Sequence, residues 1–174
     1  MKNKLIIISI AILISIPIPS MAITQPLINI CKNLTNQKLL NELPLYNVSS
    51  QKLWMDYRAI TDTASAQYTL LQNAYVGNDG IMRIGDYICV ALGQKYGKVG
   101  DKFIIEIGKK KVKCIFTDAK GNSETLNGEG WLDMYGNLLE ILVDSNTISY
   151  DCKVMGDMNH APTLNGLVTR IWKE

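Results

Sequence analysis

The sequence predicts a mainly β domain of six short strands, closed as a barrel or sandwich, behind a short helical N-terminal extension. Three observations point there. From about Gln67 onward, apolar and polar residues alternate in short runs. Glycine and asparagine turns separate these runs. No long amphipathic helix intervenes.

The strands follow in order. Residues 68–76 form the first candidate, ended by the turn Gly77-Asn78-Asp79-Gly80. Residues 86–92 form the second and stop at Gly93. Residues 102–107 alternate, Gly108-Lys109 is a hairpin turn, and residues 111–117 are the partner strand. A glycine- and asparagine-rich loop spans 119–130. Residues 138–143 and 166–172 complete the set. Leu92, Ile105, Ile115, Ile141 and Val168 are expected inside. Upstream, Leu53, Trp54, Tyr57 and Ile60 line one face of an expected helix that starts near Ser49-Ser50. A second short helix is expected around Pro26, Leu27, Ile30, Cys31 and Leu34.

The first residues have the three parts of a secretory signal. Lys2 and Lys4 are the positive end, residues 5–16 are apolar apart from two serines, and Ser20-Met21-Ala22 offers small residues for cleavage. The apolar run is shorter than the ~20 residues a bilayer-spanning helix needs. No cysteine follows it directly to carry a lipid. The expected organisation is therefore a signal peptide over 1–22, an extension with short helices over 23–66, and the β domain over 67–174. The mature protein would begin at Ile23, work in the cell envelope or outside the cell, and keep no stable membrane anchor.

Without Lys2 and Lys4 the 18 basic residues fall to 16, equal to the acidic ones. A neutral domain lacks the electrostatic footprint of a nucleic-acid binder. The four cysteines, Cys31, Cys89, Cys114 and Cys152, permit three pairings in an oxidising compartment, and equally permit buried free thiols. No C-x-x-C is present, and His160 has no second ligand at metal spacing. No metal or other cofactor is expected, and His160 reads as a surface residue.

The run Tyr87-Ile88-Cys89-Val90-Ala91-Leu92-Gly93, followed by Tyr96-Gly97, Val99-Gly100, Asp118-Ala119-Lys120 and Leu138-Leu139-Glu140-Ile141-Leu142-Val143-Asp144, carries a resemblance. It resembles a secreted Gram-positive and phage-associated group of double-psi β-barrels. That group is distantly similar to the three-aspartate domain of cell-wall lytic enzymes and to rare lipoprotein A. The resemblance covers about residues 67–173. It implies a six-stranded double-psi β-barrel and action on peptidoglycan or another wall glycan, as in a lytic transglycosylase. Asp118 matches the first acid of the lytic relatives, and Glu140 falls where the second would lie. Two departures stand out: the expected D-T-G-G turn is here Asp118-Ala119-Lys120-Gly121, and a glutamate replaces an aspartate.

Asp118 and Glu140 are thus the candidate catalytic pair, since glycan cleavage needs an acid at the leaving oxygen and a second polar group. The plain alternatives are a turn residue for Asp118 and an ion pair with Lys120 or Lys113 for Glu140. Lys120, Trp131 and Tyr135 are candidate substrate contacts, with solvation or packing as their alternatives. Lys109, Lys110, Lys111 and Lys113 make a basic hairpin suited to anionic wall polymers or to edge-strand protection. Two non-enzymatic classes stand beside the enzyme: a module that binds wall glycan or a protein, and a phage-derived structural scaffold.

Overall fold

The computed structural model describes residues 40–46 and 49–174. The signal segment, the helix expected near Pro26 and Cys31 lie outside those residues. Among the described residues nine strands form: β1 (Asn41–Leu43), β2 (Leu53–Asp56), β3 (Tyr75–Val76), β4 (Met82–Ile84), β5 (Tyr87–Gly93), β6 (Lys102–Ile107), β7 (Lys110–Lys120), β8 (Glu140–Val143) and β9 (Val168–Lys173). Two α-helices accompany them, α1 (Ala66–Leu71) and α2 (Tyr150–Met155). The fold is mainly β.

The strands make one sheet in the order β1-β9-β6-β7-β5-β4-β3, with β2 joined through β8 to β5. Nine strands replace the expected six, and the hydrogen-bonded path does not close. Two parallel pairs organise it: β5 with β7, and β2 with β8. The hairpin of β6 and β7 turns at Gly108, whose φ of 60° suits a residue without a β-carbon.

Two expectations over residues 49–76 change. Residues 53–56 are a strand, not a helix. Leu53, Trp54, Tyr57 and Ile60 fit a helical stripe, but pairing of Leu53–Asp56 along β8 satisfies the backbone, and only a single 3-10 turn at Tyr57–Ala59 follows. Residues 68–76 are not one strand. The Ser65 side chain accepts the Tyr68 amide and starts α1, so only Tyr75–Val76 is extended. Helix α2, unexpected from the sequence, has matching punctuation: Ser149 caps its start and Gly156 ends it at φ 64°.

The sheet separates two apolar clusters. Ile88, Val90 and Leu92 of β5 face the larger one, with Phe103, Ile105, Phe116, Ile141 and Val168. Cys89 and Ala91 face the smaller one, with Leu71, Met82, Ile115 and Leu142, and Leu70 of α1 packs against it. All five residues expected inside are buried, but Ile115 belongs to the smaller cluster. Burial of each large side chain contributes about 1.5–3 kcal/mol.

Lys52 is fully buried just ahead of β2. Its ammonium donates to the carbonyls of Ser50 and Gly166, each at 2.7 Å, and to Asn159 Oδ1 at 3.2 Å. It ties the entry of β2 to the approach to β9.

Candidate functional site

Asp118 and Glu140 meet at one residue of β5. Ala91 pairs with Asp118 on β7 and with Glu140 on β8. Paired residues of a ladder point to the same face, so both acids share the face of Ala91 and the smaller cluster. Their backbones stand two strand spacings apart, about 10 Å.

A β-bulge puts Asp118 there. Val90 pairs with Phe116 and Ala91 with Asp118, which leaves Thr117 without a partner. Phe116 lies in the larger core. Strict alternation would send Asp118 into that core as well, because a one-residue slip exchanges the faces. The extra residue turns Asp118 and Lys120 to the opposite face of the sheet and brings Ala119 toward the larger core instead. Thr117 is buried and its hydroxyl donates to the Ile115 carbonyl at 3.0 Å.

The two acids have different surroundings. Burial pushes the Asp118 carboxyl above its ordinary range, against the Ala119 amide and the Gln67 side chain, which favour the ionised form. The negative charges of Glu124 and Glu140 push it the same way as burial. Glu140 instead has a cation: Lys120 Nζ donates to Oε2 at 2.6 Å, with Lys120 nearly buried. Of the two partners weighed for Glu140, the structure selects Lys120. Lys113 pairs with Asp86 at 3.5 Å.

The loop after β7 closes against the strand end at Gly93, which pairs with Lys120. A β-carbon at Gly93 would lie 2.3 Å from the carbonyl oxygens of Gly130 and Trp131. Trp131 packs against the larger core, its ring 5.0 Å from those of both Tyr46 and Tyr96. It is brought away from the acids' face. Tyr135 is 78% exposed at the loop tip beside Met134. Buried Asp133 holds that tip by accepting the amides of Tyr135 and Asn137, each at 2.8 Å.

The basic hairpin is exposed at Lys109, Lys110, Lys111 and Lys113. The β5 ladder begins only at Cys114, so residues 110–113 extend past it. His160 is exposed. Cys89, Cys114 and Cys152 are buried free thiols, and burial pushes Cys89 up to about 11. Among the described residues no group of three His, Cys, Asp or Glu is placed to hold a metal ion, and no helix is long and apolar enough to cross a membrane.

A cavity missed in the sequence lies on the acids' side of the sheet. It measures about 580 Å³ and lies among the 3-10 turn after β2, helix α1 and the β3–β4 pair, with Leu71 and Met82 in its floor. In the sequence, Tyr57 and Ile60 read as a helix face and residues 68–76 as one strand, so nothing there signals that they converge. Comparison of the chain with protein-family models, with curated proteins and with solved structures finds no match.

Proposed function

We propose that this protein is secreted, belongs to the double-psi barrel group it resembles, and cleaves peptidoglycan or a similar wall glycan by a transglycosylase-like reaction. One observation carries the reading. Two carboxyls flank Ala91, one desolvated and one paired with a buried lysine. Environments that set two acids apart in this way divide the roles of proton donor and anion between them.

In that division Asp118 is the acid. It gives its proton to the glycosidic oxygen as the carbon–oxygen bond breaks. A hydroxyl of the same sugar attacks the carbon, and its proton returns to the Asp118 carboxylate, so the enzyme ends as it began. Glu140 supplies negative charge to the cationic transition state, and Lys120 fixes its position. The parallel β5–β7 pair, joined through the β6 hairpin, is the connectivity that supports kinship with double-psi barrels.

The test uses the chain from Ile23 onward with purified peptidoglycan, following turbidity and the masses of released fragments. The expected product is a sugar lighter by one water than the hydrolysis product. Wild-type protein that releases nothing from several peptidoglycans would overturn the reading. N-terminal sequencing of exported protein, expected to begin at Ile23, tests the secretion component.

A second reading, a non-catalytic module for wall glycan or protein, has its own observation. Met134 and Tyr135 stand 59% and 78% exposed on a tip that buried Asp133 holds in place. Loss of wall retention in Tyr135→Ala, with no cleavage by the wild type, would favour it.

A further inference from the structure

We propose that the cavity between α1 and the β3–β4 pair is a saccharide-binding subsite, seating the glycan whose neighbouring bond reaches Asp118 and Glu140. This rests on the reading of those acids as a glycan-acting pair.

The chemistry of the walls selects the ligand class. Tyr57, Tyr68 and Tyr75 line the cavity. Aromatic rings offer flat apolar faces for the C–H faces of a sugar ring, with a polar tip at the edge. Among the described residues the hydroxyls of Tyr57, Tyr68, Thr61 and Thr63 make no hydrogen bond, so they remain available to a polyhydroxylated ligand. Gln72 also lines the cavity; it donates through Nε2 to the Tyr68 carbonyl, which leaves its amide oxygen to accept. A volume of about 580 Å³ lies within the range of small-molecule sites.

Charge narrows the class further. Arg58 is the cation of the lining, but Asp56 takes it at 2.7 and 2.6 Å and Asp144 at 3.0 Å. A guanidinium so engaged by two carboxylates offers little attraction to an anion. The site suits a neutral, hydroxyl-rich ring better than a phosphate or a carboxylate.

Position connects the cavity to the acids. Met82 in its floor shares an apolar cluster with Ala91, the residue between Asp118 and Glu140. Met82 precedes Arg83, which pairs with Ile88, so the floor lies about two strand residues, ~7 Å, along β5 from Ala91. Helix α1 spans both places: Gln67 acts on Asp118, and Tyr68 and Leu71 line the cavity.

The test titrates the chain from Ile23 with a β-1,4-linked tetramer of N-acetylglucosamine, by calorimetry and by amide NMR shifts. Saturable binding is expected, with shifts centred on residues 57–76. Tyr57→Ala and Tyr75→Ala should each weaken binding about tenfold, and Tyr57→Phe should restore most of it. Thr63→Trp, at an exposed rim position, should block the cavity without touching the core, and circular dichroism checks its fold. No binding by wild type, or full binding by Thr63→Trp, would overturn the proposal. Binding at the cavity without cleavage upholds the subsite and removes the cleavage reading. Cleavage that persists undiminished in Thr63→Trp removes the subsite alone.

Discussion

Lys120 Nζ lies 2.6 Å from Glu140 Oε2, so the last residue of β7 is bonded to the first residue of β8 across the β5 strand that separates them. The pair is largely shielded, with side-chain exposures of 9% and 21%. Such a pair does not stabilise much as a whole, since desolvation offsets attraction, but either partner left alone is costly. Lys120→Met and Glu140→Gln should each lower stability by about 1–3 kcal/mol. The double variant should recover much of that loss. Urea unfolding of the four proteins checks this; additive losses would show that the pair is not coupled.

Gly93 is demanded by space. Its missing β-carbon leaves room for two carbonyl oxygens of the returning loop, at Gly130 and Trp131. Gly93→Ala should destabilise by about 1–3 kcal/mol, the usual range for overpacking. Because Trp131 is carried by that loop and packs on Tyr46 and Tyr96, the change should also alter tryptophan fluorescence in the folded state. An unshifted spectrum and midpoint would refute the contact.

The sequence showed most of the sheet's centre. Strands β5, β6 and β7 and the turn at Gly108 were readable because alternation and turn chemistry coincide there. The strand Leu53–Asp56 was not, because its four residues gain a partner only when β8 arrives from 87 positions away. Helix α1 was lost inside a β-compatible run, although Ser65 is the cap that marks its start. Asp118 and Glu140 were identifiable as residues, and so was Lys120 as a partner. Their common placement depends on the unpaired Thr117, and no local pattern signals a bulge that only the β5 register reveals.

Lys52 gives the fold a pH dependence of its own. Burial lowers its pKa to about 8, against the pull of Asp157 in the other direction. The unfolded chain, with an ordinary lysine, therefore binds the proton more tightly than the folded one. The contribution of this group to stability is complete above the unfolded pKa and is lost as pH falls through about 8. Wild type minus Lys52→Met should thus show a stability difference that grows in favour of wild type from pH 8 to pH 10. Loss of the bonds to Ser50 and Gly166 should make the variant less stable at all these values. Thermal melts at the two pH values decide it; a difference independent of pH would show that Lys52 titrates normally in the fold.

Asp118→Asn separates chemistry from stability. Asn keeps the shape and loses the acidic proton, so fragment release should fall about 10²–10⁴-fold. The stability effect should have the opposite sign. Burial raises the Asp118 pKa in the folded state, so the folded chain holds its proton more tightly than the unfolded one. The stabilisation linked to this group is present below the unfolded pKa and is lost as pH rises through the folded value. Above the folded pKa the wild type carries a desolvated carboxylate that Asn lacks, and there the variant should melt at the same temperature or higher. The same shift sets the rate profile: a proton donor works in its acid form, so wild-type activity should decline with rising pH, and the raised pKa moves that decline toward neutrality. Residual activity in Asp118→Asn should not follow that decline. A variant that melts well below wild type at high pH, with cleavage reduced only in proportion to the folded fraction, would mark Asp118 as a structural residue rather than the acid.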